Sequence, residues 1–208
     1  MAQYDPQKHH RRSIRLKGYD YTQPGADFVT IVIWGRECLF GEIAAEEMHR
    51  NDYGLLVENE WRLLGERFGQ VVLDEYIVMP NHVHGVLFIR DSVTVGAGQK
   101  TTLETVSIPF TPPLHNAPLL RDNPQIAPPT RAASPLQNAP GSLGAIIRAY
   151  KSTTARLING LRRTPGIPVW QRNYYERIIR DKSELERIRQ YVLDNPNHWF
   201  EDTENTMR

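Results

Sequence analysis

The chain has 208 residues, of which 40% are hydrophobic and 24% charged, so it suits one domain of ordinary size, or one with a long insertion, and excludes wholesale disorder. A lone cysteine, Cys38, excludes an internal disulfide and a cysteine-based zinc framework. No apolar run approaches the roughly 18 residues of a membrane span, and the charged start lacks a secretory pattern, so a cytoplasmic protein is expected. The net charge of +1 hides an asymmetry. Residues 41–80 hold nine acids and three bases, whereas 141–180 hold eight bases and one acid, Glu176. Residues 1–20 add five bases against two acids. Basic segments that share a face attract polyanions.

In chain order, residues 1–14 form a basic arm. Asp27 to Trp34 is a strand, rich in β-branched and aromatic residues. Asn51 caps a helix running to about Phe68, with Val57, Trp61 and Leu64 on one stripe. Val71 to Val78 and His82 to Ile89 read as strands separated by Pro80 and Asn81, a turn or bulge signal. Residues 91–140 contain nine of the fifteen prolines and one aromatic, Phe110, which predicts a disordered or extended insertion. It divides one domain into segments 15–90 and 141–200.

Beyond the insertion, Ser142 caps a second helix. Its apolar stripe is Leu143, Ile146, Ile147, Tyr150, Leu157, Ile158 and Leu161. Val169 to Ile179 reads as a strand with irregular ends. Ser183 to Glu186 reads as a capping box, Leu185, Ile188 and Val192 as the buried stripe, and Pro196 as the stop. Strand, helix, strands, helix, strand, helix is the order of an α+β fold with helices covering an antiparallel sheet.

Few residues carry chemistry. His82 and His84 are two apart on a strand, so their rings share a face and can share one divalent metal, while Val83 points into the core. Gly85 is read as leaving room beside the pair. Tyr191 and Asn195 are four apart on the last helix, one turn from each other on one side. Each also has a plain structural role available, core packing for the tyrosine and a helix end for the asparagine. Tyr150, read as core, and Tyr174 and Tyr175, set among arginines, are the competing tyrosines. No G-x-S-x-G, phosphate-cradling or H-E-x-x-H pattern is present.

Together these segments resemble a known family. YIVMPNHVHGV (76–86) resembles the histidine–hydrophobic–histidine (HUH) motif of single-tyrosine transposases. VWQRNYYERIIRD (169–181) followed by IRQYVLDNP (188–196) resembles the C-terminal half of REP-associated tyrosine transposases, where REP denotes repetitive extragenic palindromic sequences. RRSIRLKGYDY (11–21) resembles the start of many such proteins. The resemblance covers roughly residues 10–90 and 141–200, with the blocks in the family's order. It implies a ferredoxin-like fold with the histidines on a central strand.

It also implies a metal-dependent enzyme that nicks and rejoins single-stranded or hairpin DNA. His82 and His84 are then metal ligands, Asn195 the third ligand, and Tyr191 the nucleophile of a 5′-phosphotyrosine intermediate. Relatives further off carry glutamine at the asparagine position. Mg2+ or Mn2+ suits a site with no thiolate and with phosphate oxygens nearby. Arg11, Arg12, Arg15, Lys151, Arg156 and Arg172 are the expected DNA contacts. The chain is a monomer if Tyr191 serves its own histidines and a homodimer if it serves a partner's. Two alternatives stay open: a non-catalytic DNA-binding regulator derived from a transposase, and a metallohydrolase that uses metal-bound water.

Overall fold

Alternation, two-residue spacing and an intervening turn put Val71–Val78 (β4) and His82–Ile89 (β5) side by side as an antiparallel pair. A computed structural model describes residues 24–90 and 140–205. The basic arm 1–14 with Arg11 and Arg12, the following residues to 23 with Arg15, and the insertion up to residue 139 lie outside the described residues. The first strand, β1, spans Gly25–Val32, two residues earlier than the sequence suggests. It pairs antiparallel with β5 on one edge and with β6 (Tyr175–Ile179) on the other. The four-stranded order is β4-β5-β1-β6.

A short hairpin, β2 (Gly41–Ala44) and β3 (Glu47–Arg50), precedes α1 (Asp52–Arg62). Asn51 caps α1, its side chain accepting from the backbone N–H of Tyr53 and Gly54. The expected long helix breaks at Leu63, leaving a four-residue α2 (Leu64–Arg67). Helix α3 (Leu143–Leu161) starts at Ser142, whose hydroxyl accepts from Ala145 N–H. Helix α4 (Lys182–Asp194) is capped by Asp181 and not by Ser183. Asp181 accepts from Glu184 N–H, and the Glu184 carboxylate reaches back to Arg180 N–H, so the capping box sits two places earlier than expected. Of the segment 169–179, only the last five residues are strand. Trp170 makes an isolated bridge to Ile33.

Strand, helix, strand, strand, helix, strand with this sheet order is the ferredoxin-like α+β arrangement. The sheet has two unlike faces. One carries the larger core, in which Val29, Ile31, Val83 and Leu87 meet Val57 and Trp61 of α1 and Ile146, Ile147 and Tyr150 of α3. The other carries a small core under α4, made by Ala26, Val86, Ile179, Ile188 and Val192. No helix among the described residues is long and apolar enough to cross a membrane.

Gly85 serves the larger core and not the histidines. It lies one residue out of phase with His82 and His84, so a side chain there would point to the opposite face and collide with the Trp61 ring. Trp61 is fully buried and cannot retreat. Gly85→Ala is expected to lower stability by about 1–3 kcal/mol, read as a lower urea midpoint with an unchanged slope.

Asp27 sits on the same face as Val29 and is buried between Leu87 and Ile178. Burial, and then the charge of Glu176, push its carboxyl up to about 7. The folded protein therefore binds this proton more tightly than the unfolded chain. The resulting stability is complete below about pH 4 and is lost as pH rises through about 7. Asp27→Asn is expected to flatten the decline in Tm between about pH 5 and about pH 8, followed by circular dichroism.

Candidate metal and tyrosine site

The histidine pair stands on an interior strand, so its backbone is fixed from both sides. Within β1, Thr30 lies opposite His84 and Val32 opposite His82. Within β4, Ile77 lies opposite His84. Both imidazoles are buried, His82 completely. Their Nε2 atoms are 3.0 Å apart.

Each ring is held by its other nitrogen. His82 Nδ1 is 2.8 Å from Asn81 Oδ1. The Asn81 amide nitrogen donates to the carbonyls of Arg36 (3.1 Å) and Glu204 (2.6 Å), which turns its oxygen toward the ring. An oxygen there can only accept, so His82 carries its proton on Nδ1 and presents a lone pair at Nε2. His84 Nδ1 is joined to Thr30 Oγ1 at 2.8 Å, and its ring stacks on Phe28 with centroids 5.3 Å apart. Burial drives the His82 pKa down to about 3, a fall that Asn195 partly opposes. Burial and then the neighbouring His82 hold His84 well below the usual histidine range. Both rings are therefore neutral, the state that ligates metals.

Helix α4 lies across this face. A bidentate pair ties it to β4, with Arg189 donating to both Asp74 oxygens at 2.8 and 2.6 Å. Two residues further on, the Tyr191 hydroxyl comes 3.3 Å from His84 Nε2. Tyr191 as a residue is 48% exposed, so the part-buried hydroxyl sits at the edge of the site and not in the packed core. Burial, and after it the charge of Asp202, raise its pKa. Asn195 opposes this through a hydrogen bond, and Glu204 adds to the rise. Asn195 itself is buried, and its amide oxygen is left without a hydrogen bond.

The tail beyond α4 closes the site. Trp199–Glu201 forms a 3-10 turn, and Trp199 packs beside His82 with ring centroids 6.1 Å apart. Arg36 grips Glu204 at 2.7 Å. Asp202 is thereby set with one oxygen 3.7 Å from His82 Nε2. One ligand atom from each of His82, His84 and Asp202 lies within 4.8 Å of the other two. The donor set fits a divalent cation: two neutral nitrogens, one carboxylate and, beside them, the orphaned oxygen of Asn195.

The structure thus brings His82, His84, Tyr191 and Asn195 to one place. Thr30, Asn81 and Asp202 join them without having been expected from sequence. Tyr150 is elsewhere, fully buried in the larger core with its hydroxyl donating to Val57 O. Tyr175 shares the histidine face, opposite Thr30 on the edge strand. Lys151 directs its ammonium to the carbonyls of Gln171, Arg172 and Asn173 at 2.6–3.2 Å. Arg156 and Arg172 are exposed.

A sequence relative extends over almost all of this arrangement. The chain is 35% identical over 202 residues to an uncharacterized protein of Haemophilus influenzae, covering 97% of this chain and 96% of that protein. The two proteins belong to one family. No family model matches the chain. Among solved structures, a REP-associated tyrosine transposase bound to a REP hairpin aligns with 14% identity and a TM-score of 0.48, over 96% of this chain and 74% of its own. A candidate transposase of Deinococcus radiodurans aligns with 13% identity and a TM-score of 0.41, over 88% of this chain and 97% of its own. Likeness of this size is one of outline only.

Thr30 is the residue whose role here is easiest to isolate, because valine has nearly its shape. Thr30→Val is expected to leave the fold intact and weaken Mn2+ binding by about 10–100-fold, measured by calorimetric titration.

Proposed function

We propose that this protein is a metal-dependent enzyme that nicks and rejoins single-stranded or hairpin DNA, transposase-like, through a 5′-phosphotyrosine on Tyr191. The observation that carries the reading is the Tyr191 hydroxyl at 3.3 Å from a buried, neutral histidine pair. The sequence resemblance to REP-associated tyrosine transposases supports it independently of the coordinates. His82, His84 and Asp202, with Asn195 as a further oxygen donor, are the residues that would hold Mg2+ or Mn2+. Bound there, the cation would supply Lewis-acid polarisation of a scissile phosphate and positive charge beside the phenol.

The chain's own residues do the rest. Tyr191 Oη attacks phosphorus in line, forming the phosphotyrosine bond as the bond to the 3′ oxygen breaks. The phenol proton leaves, and the departing oxygen gains one to become a 3′-OH. The phosphodiester energy stays in the covalent bond, so a DNA 3′-OH reverses the step without ATP. Thr30 and Asn81 keep the imidazoles from turning. The Arg189–Asp74 pair keeps α4 from sliding, which fixes where the phenol stands. Tyr191 and the histidines come from one chain, which supports cleavage in cis by a monomer. Arg11 and Arg12 of the arm, with Arg15, Arg156 and Arg172, grip the DNA backbone. Lys151 contributes by holding the loop that carries Arg172.

A labelled hairpin oligonucleotide incubated with protein and Mn2+ is expected to give an adduct that survives denaturing electrophoresis. Tyr191→Phe should abolish the adduct, while Tyr150→Phe and Tyr175→Phe should retain it. An adduct that persists in Tyr191→Phe overturns the assignment of the nucleophile.

A further inference from the structure

The C-terminal end of α3, which carries Arg156, has a second arginine that the nicking reading leaves without a role. The helix closes in a Schellman arrangement, with Arg163 N–H donating to Gly160 O and Thr164 N–H to Asn159 O. The position just past the cap is ordinarily glycine, because its φ is positive. Here it is Arg163, at φ 54°. Glycine would hold this turn at lower cost, so the arginine is not there for the backbone's sake. The turn places it on an open cavity of about 570 Å3, lined also by Arg156, Asn159 and Pro165. Neither Arg156 nor Arg163 has an ion pair or side-chain hydrogen bond among the described residues. Arg36, Arg62, Arg67, Arg177 and Arg189 all have carboxylate partners. Arg162, next in sequence, is taken up by Asn159 and the carbonyls of Ile167 and Pro168. No aspartate or glutamate occurs between residues 141 and 175.

One tryptophan at this end of the sheet is unusual. Three of the four tryptophans, Trp61, Trp170 and Trp199, are buried, but Trp34 is 52% exposed. Its backbone N–H donates to Val169 O, two residues beyond Ile167, whose carbonyl is bound by the cavity residue Asn159. Trp34 is thus tied to the rim of the cavity through one backbone hydrogen bond, the two-residue step from Val169 to Ile167, and Asn159. It is tied toward the histidines as well, because Ile33 N–H donates to Asn81 O, and Asn81 orients His82. An exposed aromatic for bases and unpaired guanidiniums for phosphates are the elements that hold single strands.

We propose that Trp34, Arg156 and Arg163 form a track for single-stranded nucleic acid that leads away from the histidine site along the end of the sheet. This deepens the nicking reading and rests on it for the identity of the strand. It assigns a base-stacking platform to Trp34 and a backbone phosphate site to the cavity.

The test is fluorescence anisotropy with a labelled oligothymidylate of about 20 nucleotides, over a range of salt concentrations. Trp34→Ala is expected to raise Kd by about tenfold. The double variant Arg156→Gln/Arg163→Gln should also raise Kd and reduce the salt slope by about 1.4, the release expected from two phosphates on a single strand. Arg163→Gly separates a ligand role from a structural one: it should raise Tm, by relieving the positive φ, and still weaken binding. Wild-type tryptophan emission should be quenched by the oligonucleotide, and Trp34→Phe should remove most of that quenching. Unchanged Kd and salt slope in the Trp34 and arginine variants overturn the track, whatever the adduct assay gives. Loss of affinity in these variants, alongside an adduct that survives in Tyr191→Phe, upholds the track and overturns the nucleophile.

Discussion

Two imidazoles can stand 3.0 Å apart in a dry site only if the strand that carries them cannot slide. A slip of one residue on β5 would send both rings into the larger core and bring Val83 to the surface. The slip is blocked from three directions. Antiparallel ladders run along both edges of β5. Val83 and Leu87 are fully buried against the core residues of α1 and α3. Gly85 admits Trp61 at one position only. The packed face of the sheet thereby fixes the position of the histidines on the opposite face.

The site is assembled by three contacts that are far apart in sequence. Thr30 comes from the neighbouring strand, Tyr191 from a helix latched by Arg189 to Asp74, and Asp202 from a tail latched by Glu204 to Arg36. Each latch is an ion pair at an edge of the site, and each holds an element that would otherwise rest on a small apolar contact. The core under α4 comprises five buried residues, so the Arg189–Asp74 pair matters more there than a surface pair usually does. Bidentate geometry and partial burial are the conditions under which such a pair contributes.

Much of the scaffold could be read from the chain because its signals were local. Strands β4 and β5 begin and end where alternation and the Pro80-Asn81 turn place them, and Asn51 and Ser142 cap the helices expected of them. The hairpin β2–β3 was not legible. Its strands are short and largely exposed, and its turn residues, Ala45 and Glu46, both adopt positive φ without the Asn-Gly pattern that announces such a turn. The cap of α4 was misread because Asp181 and Ser183 both fit the pattern, and only the backbone chooses between them. Among the site residues, a histidine pair on one strand and a tyrosine one helical turn from an asparagine are spacings that a sequence displays. Thr30 and Asp202 are not: one is an ordinary β-branched residue in an apolar strand, and the other reaches His82 only after the chain has turned back on itself.

The two ends of the long proline-rich segment are fastened to one residue. Gln70 accepts Arg90 N–H at its carbonyl and donates from its side chain to Gly141 O. Strand β5 starts with the histidines and runs away from them, so this clasp lies at the far end of the sheet. The domain on either side of the clasp is therefore already closed, and the fold does not depend on how many residues pass between. Chain ends opened at that point would cut no ladder of the four-stranded sheet, since Arg90 and Gly141 both lie outside its strands.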